Sequence, residues 1–263
     1  MKTKTKAAKK CLQAFIFLFF FFISALSYAQ KSADRQLEKM PPALETDFAL
    51  SALPAQLRPG ATVYLLDPNK GYYVARKGSN GFVCYVTRTG WEWAEFRNDV
   101  AAAISFDAAG ARTTFVVDRD VAAMRASGKF TPLQIRTLVI DRIKKGIYKS
   151  PARAGISYML GPVMRTYTGT AASNQVMTMN MPHYMFYAPN ITNADIGNIP
   201  DGQADGPVVV NPDTPLLGKG KGPFGYIILT VGEAEKTKII AANKDLLKRL
   251  IAYKPYFKAE GRM

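Results

Sequence analysis

The chain has 263 residues, of which 48% are hydrophobic and 21% charged, and its formal net charge is +15. This apolar content excludes a chain that is disordered over most of its length, and it is enough for one large domain or two small ones. One histidine and two cysteines are too few for a zinc site of the histidine-rich or paired-cysteine kind. The basic residues are spread along the chain and mixed with acids, so we expect a solvated basic surface and no nucleic-acid partner.

The first 29 residues predict a cleavable signal peptide. Residues 1–10 carry five lysines and no acid, and residues 15–26 form an almost unbroken apolar run. This run is shorter than the about 20 apolar residues that a spanning helix needs, and the small residues Ser27 and Ala29 suit a signal peptidase. An uncleaved membrane anchor is the alternative. Cleavage after Ala29 gives an exported protein, periplasmic or extracellular, that keeps no membrane anchor.

Cleavage also changes the charge and the cysteine count. The leader holds five of the 35 basic residues and none of the 20 acidic ones, so the formal charge falls to +10. Cys11 is removed with the leader and Cys84 remains alone, which excludes an internal disulfide. We therefore expect packing to supply the stability of the mature chain.

Residues 30–59 predict a loosely structured lead-in. The segment combines charged residues with four prolines and shows little periodicity, so we expect at most one short helical turn, over residues 46–50. The remaining residues, 60–263, predict a single globular domain.

Three strands separated by two turns open this domain. β-Branched and aromatic residues at 61–66, 72–77 and 82–88 predict the strands. Residues 67–71 and 78–81 supply glycine, asparagine and proline for the turns. The order indicates a three-stranded antiparallel meander.

Amphipathic helices and further strands follow. Asp118 caps a predicted short helix that ends near Gly128, and Thr131–Gln134 is a capping box that begins a second helix. Residues 233–251 predict the last helix, which Pro255 closes. The sheet is expected to resume at residues 156–160, 177–187, 208–210 and 226–231. This order predicts an α+β fold, with a mainly antiparallel sheet packed against two or three amphipathic helices.

Alternating methionines mark the segment around Pro182. If the segment is an extended strand, four methionines and the one histidine share a face at a spacing of about 7 Å: Met177, Met179, Met181, His183 and Met185. Thioether sulfurs together with an imidazole suit Cu(I). The same alternation is typical of a core strand, since methionine fills apolar interiors, and Pro182 predicts a bend or an edge strand. The sequence leaves both interpretations open.

His183 is the only histidine and is therefore the candidate general acid or base. Cys84 is the candidate nucleophile, with Asn190 orienting the imidazole and Tyr187 nearby. Such a site would make the protein a hydrolase. Cys84 lies within the apolar strand of residues 82–86, however, and a buried structural cysteine is the alternative.

Asparagine, aspartate and glycine are concentrated between residues 190 and 206. The members with oxygen ligands are Asn193, Asp195, Asn198, Asp201 and Asp205. Oxygen ligands on a loop are what calcium prefers, although the spacing does not match an EF-hand loop. The same residues are ordinary turn formers. We predict no cofactor and keep copper and calcium as alternatives.

Two stretches resemble a family of exported bacterial proteins of uncharacterised function. The first runs from Gly60 to Cys84, and the second from Pro182 to Asn190 with its continuation to Gly197. The resemblance implies a bacterial periplasmic or secreted setting and brings no activity or assigned catalytic residue. It draws attention to His183 and its aromatic neighbours.

The leading hypothesis is an exported, non-enzymatic α+β domain that binds a small molecule or a partner protein. Residues 182–190 would lie near the recognition site, with four ligand-binding residues: Tyr184, Phe186, Asn193 and Asp195. A hydrolase that uses His183 as acid or base is the second hypothesis, and soft-metal binding through the methionines is the third.

Overall fold

Ten strands in the described part of the chain form one mixed, mostly antiparallel sheet. The computed structural model describes residues 37–168, 175–198, 207–212 and 220–260. The described residues from Glu38 onward form one compact unit; the predicted signal peptide lies outside the described residues. The strands are β1 (Thr62–Asp67), β2 (Gly71–Arg76), β3 (Val83–Thr87), β4 (Ala101–Phe106), β5 (Ile156–Met159), β6 (Met164–Thr168), β7 (Gln175–Met179), β8 (His183–Tyr187), β9 (Val208–Val210) and β10 (Tyr226–Thr230).

Six α-helices accompany the sheet in the same ranges. They are α1 (Pro42–Ser51), α2 (Ala108–Ala111), α3 (Thr114–Ala126), α4 (Pro132–Lys144), α5 (Glu233–Ala242) and α6 (Lys244–Tyr253), with short 3₁₀ helices at Ala55–Gly60, Ala194–Ile196 and Pro255–Phe257. This arrangement confirms the predicted α+β class. Within the described ranges, every helix is too short or too polar to cross a membrane.

The sheet order is β2-β1-β3-β4-β5-β8-β10-β9, and β6 pairs with both β4 and β7. The three opening strands are adjacent, as predicted, but β3 runs parallel to β1 on the side away from β2, which is not the order of a meander. The loop from β2 to β3 crosses the start of β1, where the amides of Ser79 and Asn80 donate to the Gly60 carbonyl at 2.7 and 3.0 Å. A Cβ on Gly78 would lie 2.2 Å from that oxygen, so the crossing requires glycine.

β5 and β6 are two halves of one interrupted strand. Both pair antiparallel with β4. Residues 160–163 leave the ladder between them, and the amide of Leu160 donates to the Ala52 carbonyl at 3.1 Å. As a result, β5 continues the sheet towards β8, whereas β6 pairs with β7.

One face of the sheet, here called the α1 face, is covered over β1, β3 and β4 by α1, and α6 packs against α1. Val63, Cys84 and Ala103 lie in the core on this side. Phe48 of α1 is fully buried, and its ring meets that of Phe257 edge-on at 5.7 Å. The amino-terminal and carboxyl-terminal helices therefore share one core.

The predicted loosely structured lead-in is wrong for residues 42–51 and 55–60, which are helical. Pro42 occupies the first turn of α1, where proline is tolerated because its missing amide has no partner to lose. Leu44 and Phe48 are four residues apart and face the core together. Pro41 and Pro42, which indicated a loop, instead begin a helix.

The opposite face, here called the α3 face, is covered by α3, and α4 packs against α3. Phe115 of α3 packs against the rings of Tyr64, Tyr72 and Tyr85, with centroids at 4.6, 5.9 and 4.7 Å. A second apolar cluster joins α3 and α4 to Trp91. Helices thus lie on both faces of the sheet.

One helix feature predicted from the sequence is confirmed by the structure, and two are wrong. The predicted capping box between Thr131 and Gln134 is present at the start of α4. Asp118 lies inside α3 and is not its cap. The predicted last helix is divided at Asn243, whose backbone leaves the helical region and whose Nδ2 donates to the Ile239 carbonyl at 2.8 Å.

Candidate binding site on the sheet

β8 presents two sets of side chains to opposite faces. His183 and Met185 are 2% and 4% exposed and lie on the α3 face. Tyr184 is half-buried and Phe186 is 39% exposed, and both lie on the α1 face. The two aromatic residues predicted to bind a ligand are therefore neighbours, and the sheet separates them from the histidine.

Tyr184 and Phe186 belong to a block of six apolar side chains on the α1 face. Two successive rows each take one residue from β5, β8 and β10. We call these residues the apolar array: Ile156, Phe186 and Ile227 in one row, and Tyr158, Tyr184 and Leu229 in the next. Phe186 and Leu229 are 39% and 41% exposed, and the other four are half-buried. α1 packs over β1, β3 and β4, so this part of the face stays partly open.

The polar rim of the apolar array comes from α5. The Tyr184 hydroxyl donates to Glu235 Oε1 at 2.8 Å, and the rings of Tyr158 and Tyr184 meet edge-on at 5.7 Å. Partial burial and the Glu235 carboxylate raise the pKa of Tyr184 to about 12. The phenol therefore stays protonated, and its oxygen lies with the Glu235 carboxylate at a polar edge of the apolar array.

Tyr187 is held in a tight structural contact on the α3 face. Its hydroxyl donates to Asp107 Oδ1 at 3.1 Å, and the same carboxylate oxygen accepts the amides of Ala109 and Gly110 at 2.9 Å. A Cβ on Gly110 would lie 2.1 Å from the Tyr187 hydroxyl. These contacts assign Tyr187 to the packing of α2 on the sheet and do not support the predicted catalytic role.

The predicted pair of Cys84 and His183 is not formed. Cys84 is fully buried on the α1 face of β3, whereas His183 lies on the α3 face of β8, with β4 and β5 between them. Three strand spacings separate the two residues by about 14 Å. Burial raises the pKa of the Cys84 thiol to about 12, so it is not a thiolate nucleophile. The prediction of a Cys–His hydrolase site is wrong.

His183 itself is closed off from solvent. Its Nδ1 lies 2.8 Å from the Met181 carbonyl oxygen, and burial lowers the pKa of the imidazole. The ring is therefore neutral and only 2% exposed. An acid–base role at the surface, as the hydrolase hypothesis requires, is not supported by this position.

The polar residues after β8 hold the following loop against β9. Asn193 Oδ1 accepts the Val209 amide at 2.7 Å, and its Nδ2 donates to the Val209 carbonyl at 3.2 Å. Asp195 Oδ2 accepts both the amide and the hydroxyl of Thr192 at 2.8 Å. Asn190 is exposed and has a φ of 61°. Hydrogen bonds within the loop therefore occupy Asn193 and Asp195, and the structure does not bring Asn190 next to His183's buried ring.

The calcium alternative gains no support from the described part of this loop. Asp201 and Asp205 lie outside the described residues. Among the residues that are described, no group of three or more His, Cys, Asp and Glu side chains has the geometry of a metal site.

The alternating methionines predicted to share one strand face are divided between two strands. Met177 and Met179 lie on β7, and His183 and Met185 lie on β8, which pairs with β5 and β10 instead of β7. Met177 is 37% exposed and Met185 4%. The chain leaves the sheet at residues 180–182, in agreement with the bend predicted at Pro182, so the residues from Met177 to Met185 do not form one continuous strand.

Sequence reasoning missed two carboxyl groups on the α3 face. Asp118 accepts a hydrogen bond from the Tyr85 hydroxyl, and Glu92 Oε2 accepts the Trp91 amide at 2.8 Å. Burial raises the pKa of both carboxyls, that of Asp118 to about 7, and the charge of Glu92 contributes to the shift of Asp118. The sequence gives no sign of this proximity, because a loop and a helix bring the two residues together.

Comparison of the chain with protein-family models, curated proteins and solved structures finds no match. The resemblance to a family of exported bacterial proteins therefore stays a prediction, and the site has to be interpreted from its own geometry.

Proposed function

We propose that this protein is an exported, non-enzymatic domain that binds a small amphiphilic molecule on the apolar array. The observation that supports this proposal is the array itself, six apolar side chains in register on three adjacent strands with none of them fully buried. An exposed apolar patch of this kind on a folded domain is often functional. Two of its members, Tyr184 and Phe186, are also the aromatic residues that the sequence favoured as ligand contacts.

The dimensions of the array favour a small molecule over a protein partner. Three strands span about 10 Å between their outer axes, and two rows span about 7 Å along the strands. A stable protein interface needs about 800 Å² from each partner, several times what such a block offers. The formal charge of +10 expected for the mature chain also disfavours a second copy of the same chain.

The chemistry of the rim indicates how the ligand is oriented. An aromatic ring or a short acyl chain would cover Phe186 and Leu229, the two most exposed members. A polar end with a hydrogen-bond donor, such as a hydroxyl or amine, would face the Glu235 carboxylate, which already accepts from Tyr184. The ligand class is therefore an apolar molecule with one donor at its end.

N-Phenyl-1-naphthylamine is a suitable probe because it is neutral and aromatic and carries one N–H donor. We expect saturable fluorescence enhancement at a single site on the purified protein. Phe186→Ser and Leu229→Ser should each weaken binding at least about tenfold, since every 1.4 kcal/mol of lost contact is tenfold in affinity.

Matched controls come from β2, where Tyr73 and Val74 are 39% and 42% exposed. Tyr73→Ser and Val74→Ser change side chains of similar fractional exposure away from the array and should leave binding unchanged. Absence of saturable binding, or equal weakening in the control variants, would refute the proposal.

Export has its own test. Mass spectrometry of protein secreted from a bacterial host should show a mature chain that begins at Gln30. An intact chain that retains residues 1–29 and fractionates with the membrane would refute the cleavable signal peptide and support the uncleaved membrane anchor.

A further inference from the structure

Soft-donor side chains from four strands lie in two facing pairs. Met159 of β5 lies opposite His183 of β8, and Met164 of β6 lies opposite Met179 of β7. We call these four residues the methionine–histidine cluster. Two of them, Met159 and Met164, are not among the alternating methionines near Pro182. The pairing of the strands places them beside Met179 and His183.

The register with β4 places both pairs on the α3 face. Ser157 lies opposite Phe106, and Met164 lies opposite Ala102. Phe106 and Ala102 are four residues apart on one strand and so share a face. Met159 is two residues beyond Ser157, which puts it about 7 Å from Met164 along the direction of β4.

These spacings allow the donor atoms to converge. Residues directly opposite each other on antiparallel strands have Cβ atoms about 5 Å apart, and the unbranched methionine side chain adapts to irregular space. The Asn180 side chain donates to the Pro162 carbonyl, which ties the turn between β7 and β8 to the interruption between β5 and β6. The two pairs are thereby held beside each other.

The imidazole of His183 is in the form that a metal requires. A carbonyl oxygen only accepts hydrogen bonds, so the 2.8 Å contact with Met181 fixes the proton on Nδ1. The lone pair of the neutral ring then lies on Nε2, to which no described residue donates a hydrogen bond. Metal-binding histidines commonly donate their other nitrogen to a backbone carbonyl in this way.

We propose that the methionine–histidine cluster binds one Cu(I) ion through His183 Nε2 and the sulfurs of Met159, Met164 and Met179. Thioether sulfur and imidazole are ligands that Cu(I) prefers, whereas Ca²⁺ and Mg²⁺ require oxygen. His183 and Met164 are 2% and 9% exposed, so water competes little for the ion. Met159 and Met179 are half-buried and leave a path for its entry. The site lies on the face opposite the apolar array and does not depend on the ligand proposed there.

Competition with the chromophoric chelator bicinchoninate tests the proposal on the purified protein under anaerobic, reducing conditions. We expect the protein to withdraw one equivalent of Cu(I), with a Kd below about 1 µM. Met159→Leu and Met179→Leu keep the volume and apolar character of the side chain but remove the sulfur. Each should weaken binding at least about tenfold, and the double variant should weaken it further.

Two controls keep the test decisive if a His183 variant fails to fold. Met124→Leu changes a methionine that is 8% exposed in the core between α3 and α4, and it should bind Cu(I) like the wild type. Cys84→Ala should also bind normally, because the thiol lies on the other face of the sheet. Failure to withdraw Cu(I), wild-type affinity in the Met159 and Met179 variants, or loss of binding in Cys84→Ala would each overturn the proposal. X-ray absorption of the loaded protein should show both sulfur and nitrogen ligands.

Discussion

Glu45 of α1 accepts a hydrogen bond from the backbone amide of Leu66 at 2.9 Å while only 1% of the residue is exposed. β1 pairs with β3 only through its first two residues, so Glu45 supplies an acceptor for β1 beyond the end of that pairing. Burial raises the pKa of this carboxyl to about 7, although the hydrogen bond and two nearby basic side chains lower it. A protonated acid is therefore part of the core near neutral pH.

We expect the contribution of Glu45 to the stability of the protein to fall as pH rises from 4.5, the ordinary pKa of this group, to about 7. A carboxyl whose pKa is raised in the folded state stabilises it fully below the unfolded pKa, and this contribution is lost as pH rises through the folded pKa. Glu45→Gln keeps an acceptor without the charge. It should match the wild type near pH 4 and exceed it near pH 8 by on the order of 3 kcal/mol.

Urea denaturation at both pH values measures this difference. Asp47→Asn, on the same helix but with 48% of its side chain exposed, is the control and should show little change with pH. A Glu45→Gln effect of the same size at both pH values would contradict the prediction.

Phe48→Ala tests whether α1 belongs to the core. Phe48 is fully buried against Phe257, so its removal should lower the free energy of unfolding by about 3–5 kcal/mol. Leu133→Ala, at a position that is 61% exposed on α4, should change it by less than about 0.5 kcal/mol. Chemical denaturation measures the free energy of unfolding of both variants. A loss in Phe48→Ala as small as that in Leu133→Ala would show that α1 does not belong to the core.

Gly110→Ala tests the contact between α2 and β8. The added Cβ would lie 2.1 Å from the Tyr187 hydroxyl, and we expect a loss of about 1–3 kcal/mol from overpacking. Gly232→Ala, at the N-cap of α5 where nothing lies within 4 Å of the new Cβ, should cost less, about 0.5 kcal/mol. Tyr187→Phe in the Gly110→Ala background should recover part of the loss in thermal unfolding. No recovery would show that the hydroxyl is not the obstacle.

Met185→Ala and Phe186→Ala compare two neighbours on β8 that point to opposite faces. Met185 is 4% exposed, and its truncation should cost about 2–5 kcal/mol. Phe186 is 39% exposed, so its truncation should cost clearly less although the side chain is larger. Denaturant midpoints measure both. The reverse order would indicate a strand shifted by one residue, because such a shift exchanges the two faces.

Local signals in the sequence predict the elements that carry them. The capping box at Thr131 marks α4, and the β-branched and aromatic runs mark β1, β2 and β3. These features act between residues close in the chain, so no knowledge of the tertiary structure is needed. The α+β class follows from their order.

The elements that were not predicted depend on tertiary contacts. β4 is central in the sheet but begins Ala101-Ala102-Ala103, which has little strand propensity. Small residues are suited there because α1 packs over that strand. The parallel pairing of β3 with β1 likewise depends on a loop crossing at Gly60, which appears in the sequence as an ordinary turn.

The candidate site could also be predicted from the sequence only in part. Alternation along β8 separates Tyr184 and Phe186 from His183 and Met185, and this could be predicted from one strand. The remaining members of the apolar array come from β5 and β10, and Met159 and Met164 come from β5 and β6. Only the pairing of strands distant in sequence brings these residues together, and neither composition nor spacing indicates that pairing.

The shared core of α1 and α6 can be completed only late in folding. Leu44 and Phe48 pack in one cluster with Leu250 and Phe257, from opposite ends of the sequence. Contacts of such long separation carry a large loop-closure entropy and slow the search for the native state. A chain that crosses a membrane with its amino terminus first, as the leader predicts, completes this cluster only after α6 has emerged. α1 can pack on β1, β3 and β4 before that point, but its contacts with α6 are missing during transit, and chains shortened before α6 should be unable to close the α1 face.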